Sequence, residues 1–167
     1  VPMPSAGLSP QWPNKPWNDL KVRKALDMSL DRKTIAQTFF GGAADETAAG
    51  LTAPVLSTRG WGFPYSEWPQ SLKDEYAYNT TKAKELLAEA GYPNGFKTTI
   101  QIPNTANMGL VQIYQAYFKE IGIDAEIQVY DSTAYTALSN AGKIDNFGYN
   151  AMGNRATTAA TLNRIIA

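Results

Sequence analysis

Neither cysteine nor histidine occurs among the 167 residues of this chain. Their absence removes thiol nucleophiles, disulfides, Cys/His zinc sites and histidine-based triads. It leaves the compartment open, since reducing and oxidising spaces both hold cysteine-free proteins. Charge of either sign is also in short supply. Lysine plus arginine number 15, aspartate plus glutamate number 15, and charged residues make up only 18% of the chain, below the roughly 25% usual in soluble domains. A nucleic-acid binder shows a basic surplus or patch, so nucleic acid is not an expected partner. No apolar run reaches the roughly 18 residues of a membrane span. No pattern of basic, apolar and small-residue regions opens the sequence as a signal peptide would. The last residues, Arg164-Ile165-Ile166-Ala167, are apolar and uncapped, and the expectation is an excised piece of a longer protein.

What the chain does contain is alternation. Pro2, Pro4, Pro10, Pro13 and Pro16 forbid a helix over residues 1–17. That segment reads as an extended lead-in, either a linker or a strand entering from another domain. Asn18 or Asp19 then offers a helix N-cap, and Val22, Ala25, Leu26 and Ser29 recur with helical period. Asp31 caps a second helix, with Ile35, Ala36 and Phe39 on one face and Gly41-Gly42 to end it. Residues 43–78 lack sustained periodicity and carry Trp61, Phe63, Tyr65 and Trp68, which predicts a long, aromatic-rich loop. Those rings could enclose a ligand or simply cover the sheet.

Asn79 caps a further helix with Ala83, Leu86, Leu87 and Ala90 on one face, closed by Gly91. Asn79-Thr80-Thr81 is also a glycosylation sequon, but the capping role is the preferred reading. Strand, helix, strand, helix, strand follows: 98–102, 107–121, a strand in which Ala125, Ile127 and Val129 alternate with Glu126, Gln128 and Tyr130, 132–141, and 145–152. This is the signature of a right-handed parallel α/β unit. Ligands of such sheets meet the loops at the carboxyl ends of the strands. Those loops are Pro103–Asn107, Asp131–Thr133 and Gly153–Thr158.

Catalytic groups cannot be assembled. The acidic residues are scattered, and no spacing selects the pair of facing carboxylates that a glycosidase needs. Gly41-Gly42 and Gly60-Trp61-Gly62 match neither phosphate-loop pattern, and no serine has the G-x-S-x-G context. No metal or cofactor is expected. A recognition surface remains. Arg155, just past the last strand, could hold a carboxylate or phosphate by paired hydrogen bonds, or could be a surface arginine at a helix start.

Three stretches together resemble one family. Asp19-Leu-Lys-Val-Arg-Lys-Ala-Leu-Asp-Met-Ser-Leu-Asp-Arg-Lys-Thr-Ile35, followed by Gly41-Gly42, is similar to its D-x-x-V-R-x-A-[LI]-x-x-[AS]-[IL]-D-R-x-x-I … G-G segment. Tyr78-Asn-Thr-Thr-Lys-Ala-Lys-Glu-Leu-Leu-Ala-Glu-Ala-Gly-Tyr-Pro-Asn-Gly-Phe96 is similar to its Y-[DN]-x-x-K-A-K-x-L-L-x-E-A-G-Y-P-x-G-F segment. Phe118-Lys-Glu-Ile-Gly-Ile123 resembles its L-x-x-I-G-I helix end. The family is that of the extracellular solute-binding proteins of ABC importers, of the dipeptide, oligopeptide and nickel type (family 5). The match covers residues 18–130 and continues more loosely to about 165.

The resemblance implies a type II periplasmic-binding-protein lobe, with layered helices on a central, mostly parallel sheet. Residues 18–167 would be part of the C-terminal lobe of a two-lobed protein. The implied partners are a small-molecule ligand, the permease subunits of an importer and the first lobe of the same chain. The implied location is periplasmic or extracellular, with a lipid anchor an option, and the implied role is non-catalytic. Many peptide-binding members carry a G-W-x-x-D-Y-x-[DE]-P run whose Asp receives a peptide's amino terminus. Here Ala151-Met-Gly-Asn-Arg-Ala-Thr-Thr158 stands instead, with Met152 in the Trp place and Arg155 at or beside the Asp place. A cation cannot serve an ammonium group, so the expected ligand is anionic or polyhydroxylated rather than an ordinary peptide. The expected cleft residues are Trp61, Asn104, Tyr149, Met152, Asn154 and Arg155. An enzyme lobe completed by another domain, or a ligand-sensing domain for signalling, are the alternatives.

Overall fold

The computed structural model describes residues 6–10, 16–44, 46 and 64–151. Contacts divide the chain into two compact units. One comprises Gly7–Leu30 and Tyr78–Asn150, and the other includes Asp31–Ala77.

The first unit is a four-stranded sheet with helices. Its strands are β1 (Ala6–Pro10), β2 (Phe96–Pro103), β3 (Ile123–Tyr130) and β4 (Phe147–Ala151), in the spatial order β1-β4-β2-β3. β2 pairs in parallel with β3 from Phe96↔Ile123 to Pro103↔Tyr130, and with β4 at Ile100↔Phe147 and Gln101↔Gly148. The α/β, parallel architecture is the one expected. The lead-in is not a linker throughout. Ala6–Pro10 is a strand of the sheet beside β4, and Trp17 is wholly buried in the core.

Helices α1 (Leu20–Met28) and α4 (Thr80–Glu89) pack together. Their ends are joined by the Asn79 N–H, which donates to the Met28 carbonyl at 2.8 Å, and by Lys21–Glu89 at 3.0 Å. Asp19 caps α1 by accepting from the Lys21 N–H, and Asn79 caps α4 by accepting from the Lys82 N–H at 2.9 Å. Between strands lie α5 (Met108–Glu120) and α6 (Ser132–Asn140). The chain moves from β2 to β3 in one direction and from β3 back past β2 to β4 in the other. Right-handed crossovers in opposite directions place α5 and α6 on opposite faces of the sheet.

The faces follow the strand period of two. Ile100, Ile102, Ile123, Ala125 and Phe147 join Val111 and Phe118 of α5, Ala83 and Leu87 of α4, and Trp17 in one core. Phe118 stacks on Phe147, with ring centroids 5.4 Å apart. Val129 runs past the covered part of that face and is 52% exposed. The opposite face is polar. There Gln101 donates to the Tyr130 hydroxyl at 3.1 Å, Tyr130 donates to Gln128 at 3.2 Å, and the Asp145 N–H donates to Gln101 at 3.0 Å.

In the second unit, Asp31 accepts from the N–H and the hydroxyl of Thr34, starting α2 (Arg32–Thr34), which runs into a π-helical turn over Ile35–Phe39. Residues 43–78 are not all loop, because a 3₁₀ turn at Tyr65–Glu67 precedes α3 (Gln70–Glu75). Tyr65, Trp68 and Tyr76 form a ring cluster with centroid spacings of 5.2 and 5.5 Å.

Candidate ligand site at the carboxyl edge of the sheet

The reversal of direction around β2 makes its carboxyl end a topological switch point, where open α/β sheets bind their ligands. Two short connections meet there. The loop from β2 to α5 begins at Asn104, whose N–H donates to the Tyr130 carbonyl at 2.8 Å, so it is moored to the end of β3. The next connection is only Asp131, and it delivers Ser132 beside that loop. The Ser132 hydroxyl donates to the carboxamide oxygen of Asn104 at 2.7 Å, and the hydroxyls of Thr105 and Ser132 lie 3.4 Å apart. Asn107 caps α5 by accepting from the Leu110 N–H at 3.2 Å, and its own N–H donates to the Tyr149 hydroxyl oxygen at 3.5 Å.

The resulting rim consists of amides, hydroxyls and one phenol. Asn104, Thr105 and Asn107 are exposed, and Ser132 and Tyr149 are half-buried. The one charged member of these connections, Asp131, is engaged locally and accepts from the Thr133 N–H at 2.8 Å. Hydrogen bonds from the backbone of Thr133 and Ala134 hold its carboxyl below the ordinary carboxylate range, against a smaller opposing effect of burial. A folded-state pKa below the unfolded one contributes stability above the unfolded value. That contribution is lost as the pH falls through the folded value. Acidification through the ordinary carboxylate range and below it is therefore expected to loosen the first turn of α6. The Thr133 amide resonance should follow that titration in the wild type and lose it in Asp131→Asn. An amide signal that ignores pH in the wild type would contradict the cap.

Of the residues singled out from sequence, Asn104 and Tyr149 are placed at this edge, Asn104 bonded to Ser132 and Tyr149 to Asn107. Trp61, Met152, Asn154 and Arg155 lie outside the described residues. Sequence reasoning does not single out Thr105, Ser132 or Tyr135. Ser132 carries the nearest thing to a signal, since it follows a capping aspartate at the end of a strand. Among the described residues, no three acidic side chains gather to hold a metal ion, and no helix is long and apolar enough to cross a membrane.

Known proteins are similar to this chain in sequence and in fold. The Escherichia coli (strain K12) glutathione-binding protein GsiB is 32% identical over 143 residues, covering 84% of this chain and 25% of that protein. The structure of DppA from Helicobacter pylori, an ABC transporter-associated periplasmic binding protein in complex with the peptide STSA, superposes with a TM-score of 0.71 at 33% identity. The match covers 86% of this chain and 26% of that one. HbpA2 from Haemophilus parasuis superposes with a TM-score of 0.66 at 27% identity, over 87% of this chain and 27% of that one. The chain thus spans about a quarter of the length of these relatives. Residues 4–165 match the family described as bacterial extracellular solute-binding proteins, family 5 Middle. With nearly its whole length inside that match, the chain belongs to family 5 of the bacterial extracellular solute-binding proteins.

Proposed function

We propose that this chain is part of the C-terminal lobe of a two-lobed protein that captures a small solute and delivers it to the permease of an ABC importer. The work is done outside the cytoplasmic membrane and without catalysis. The observation that carries this reading is the uncharged amide and hydroxyl rim at the switch point. It offers a solute many hydrogen bonds and no nucleophile–base pair. Capture then works by hinge closure of two rigid bodies, and the closed state is favoured only by as much as the solute prefers it.

The ligand is anionic or polyhydroxylated rather than an ordinary peptide held by its amino terminus. Asn104 and Tyr149 at the rim, with Trp61, Met152, Asn154 and Arg155 from the remaining sequence, are the contacts proposed. Arg155 would supply the cation. Glutathione, for which one relative is named, has a net negative charge at neutral pH, so it is the first solute to test. The peptide STSA, bound by another relative, is the ordinary-peptide control.

Calorimetry on the full-length protein should show glutathione or another anionic solute binding more tightly than STSA. Arg155→Ala should weaken that binding roughly 10- to 100-fold, the usual size of a hydrogen bond to a charged group. Tight binding of STSA that depends on its α-amine and survives Arg155→Ala would overturn the ligand assignment. An importer permease that takes up nothing in a strain lacking this protein, and recovers on its return, would support the transport role.

A further inference from the structure

We infer that Tyr135 is a positioning residue for ligand capture, holding Tyr149 in place from the opposite face of the sheet. The inference rests on the reading above in which Tyr149 faces the solute.

β4 is registered with β2 at Phe147 and Gly148, continues as strand to Ala151 and lies between β2 and β1 in the sheet. Tyr135 lies one turn into α6, is only 8% exposed, and donates its hydroxyl proton to the Tyr149 carbonyl at 2.8 Å. Burial pushes its phenol pKa up, against a smaller lowering from that bond, so it stays a protonated donor at any physiological pH. The side chain of Tyr149 leaves the strand on the other face, packed against the core that α5 completes. Its hydroxyl oxygen accepts the Asn107 N–H at 3.5 Å.

One residue is therefore gripped at both ends. α6 holds its carbonyl and the cap of α5 holds its hydroxyl, and these two helices occupy opposite faces of the sheet. Accepting the Asn107 N–H leaves the Tyr149 phenolic proton to be donated elsewhere, toward an acceptor on a solute at the carboxyl edge. The two bonds set Tyr149 at a fixed height along β4. A phenylalanine at 135 would fill the same space without this grip.

The test needs the full-length protein with Tyr135→Phe, Tyr149→Phe and the double substitution, compared by amide hydrogen exchange over residues 104–109. Tyr135→Phe should speed exchange at Asn107 about 5-fold, the effect of losing one net hydrogen bond. Tyr149→Phe should do the same, and the double variant should add nothing further. A tyrosine that merely filled space would leave Asn107 untouched, because the bonds that link the two residues run through Tyr149. Unchanged exchange at Asn107 in Tyr135→Phe, or additive effects in the double variant, would overturn the positioning role. Affinities for glutathione and STSA form a second arm, in which both single substitutions should weaken whichever probe binds by a similar factor. Coupled exchange with unaltered affinity would overturn the solute-facing reading of Tyr149, and the ligand role of Tyr135 with it. Uncoupled exchange would overturn the positioning role alone.

Discussion

Trp17→Ala is expected to destabilise the sheet unit by about 3–5 kcal/mol, the range for deleting a large aromatic from a packed core. Trp17 has no solvent exposure and sits between two rings, 5.5 Å from Phe96 edge to face and 4.3 Å from Phe147. Phe96 opens β2 and Phe147 opens β4, so one indole seats the first residues of two neighbouring strands. Its backbone is also pinned, because the Arg23 guanidinium donates to the Trp17 carbonyl at 2.6 Å. Trp17→Phe should be far milder than its loss of volume suggests. The indole N–H is buried with no hydrogen-bond partner among the described residues, and such a group costs about 1–3 kcal/mol. Removing it offsets part of the lost packing. Denaturant midpoints of the full-length protein and both variants would check this. Equal losses for Phe and Ala would show that the indole N–H is not a burden.

The second large effect is expected at Gly95, where conformation and space act together. Its φ is +71°, and a Cβ added there would lie 1.8 Å from the Gly122 carbonyl oxygen and 2.4 Å from its carbon. Both obstacles are backbone and cannot swing aside. Gly95 and Gly122 immediately precede Phe96 and Ile123, the first registered pair of β2 and β3. The pairing of β2 with β3 therefore starts from a close backbone approach that a side chain at 95 would block. Gly95→Ala combines the left-handed penalty of about 1–2 kcal/mol with a forced backbone shift of about 1–3 kcal/mol. Gly122→Ala shares the positive φ, +92°, but its Cβ would meet nothing closer than 3.4 Å. It should cost only the first part. Urea unfolding of the two variants gives the comparison, and a Gly95→Ala protein as stable as Gly122→Ala would refute the steric argument.

How much of this could be seen in the chain beforehand depended on the range of the interaction. Asp19, Asp31 and Asn79 announce helix starts because a cap is a bond across two or three residues. The alternation in Ala125-Glu126-Ile127 and the glycine at 122 mark β3 and the turn before it for the same local reason. β1 was legible only as an extended segment. Gly7-Leu8-Ser9 carries no period, and its place beside β4 depends on residues at the far end of the chain. α3 stayed hidden because Gln-Ser-Leu-Lys-Asp-Glu has a single apolar residue and so no stripe to read. At the site, Asn104 and Tyr149 could be picked from their positions at strand ends. Ser132 and Tyr135 could not, since their significance lies in single bonds to Asn104 and to the Tyr149 carbonyl. Such bonds exist only once the strand order is known.

The place of β1 also bears on how the molecule is made. Of the four described strands β1 leaves the ribosome first, yet its neighbour β4 is the last of the four to emerge. Between them lie α1, the Asp31–Ala77 unit and α4, and then β2 through α6, a run of short crossovers that can assemble as it appears. Pairing across so long a separation is slow, because the entropy of closing the loop must be met before any contact rewards it. Order of manufacture and order of assembly are thus opposite for this one strand. Until it docks, β4 keeps an unpaired edge of the kind that recruits other chains, and the seating of β1 is the step that ends that exposure.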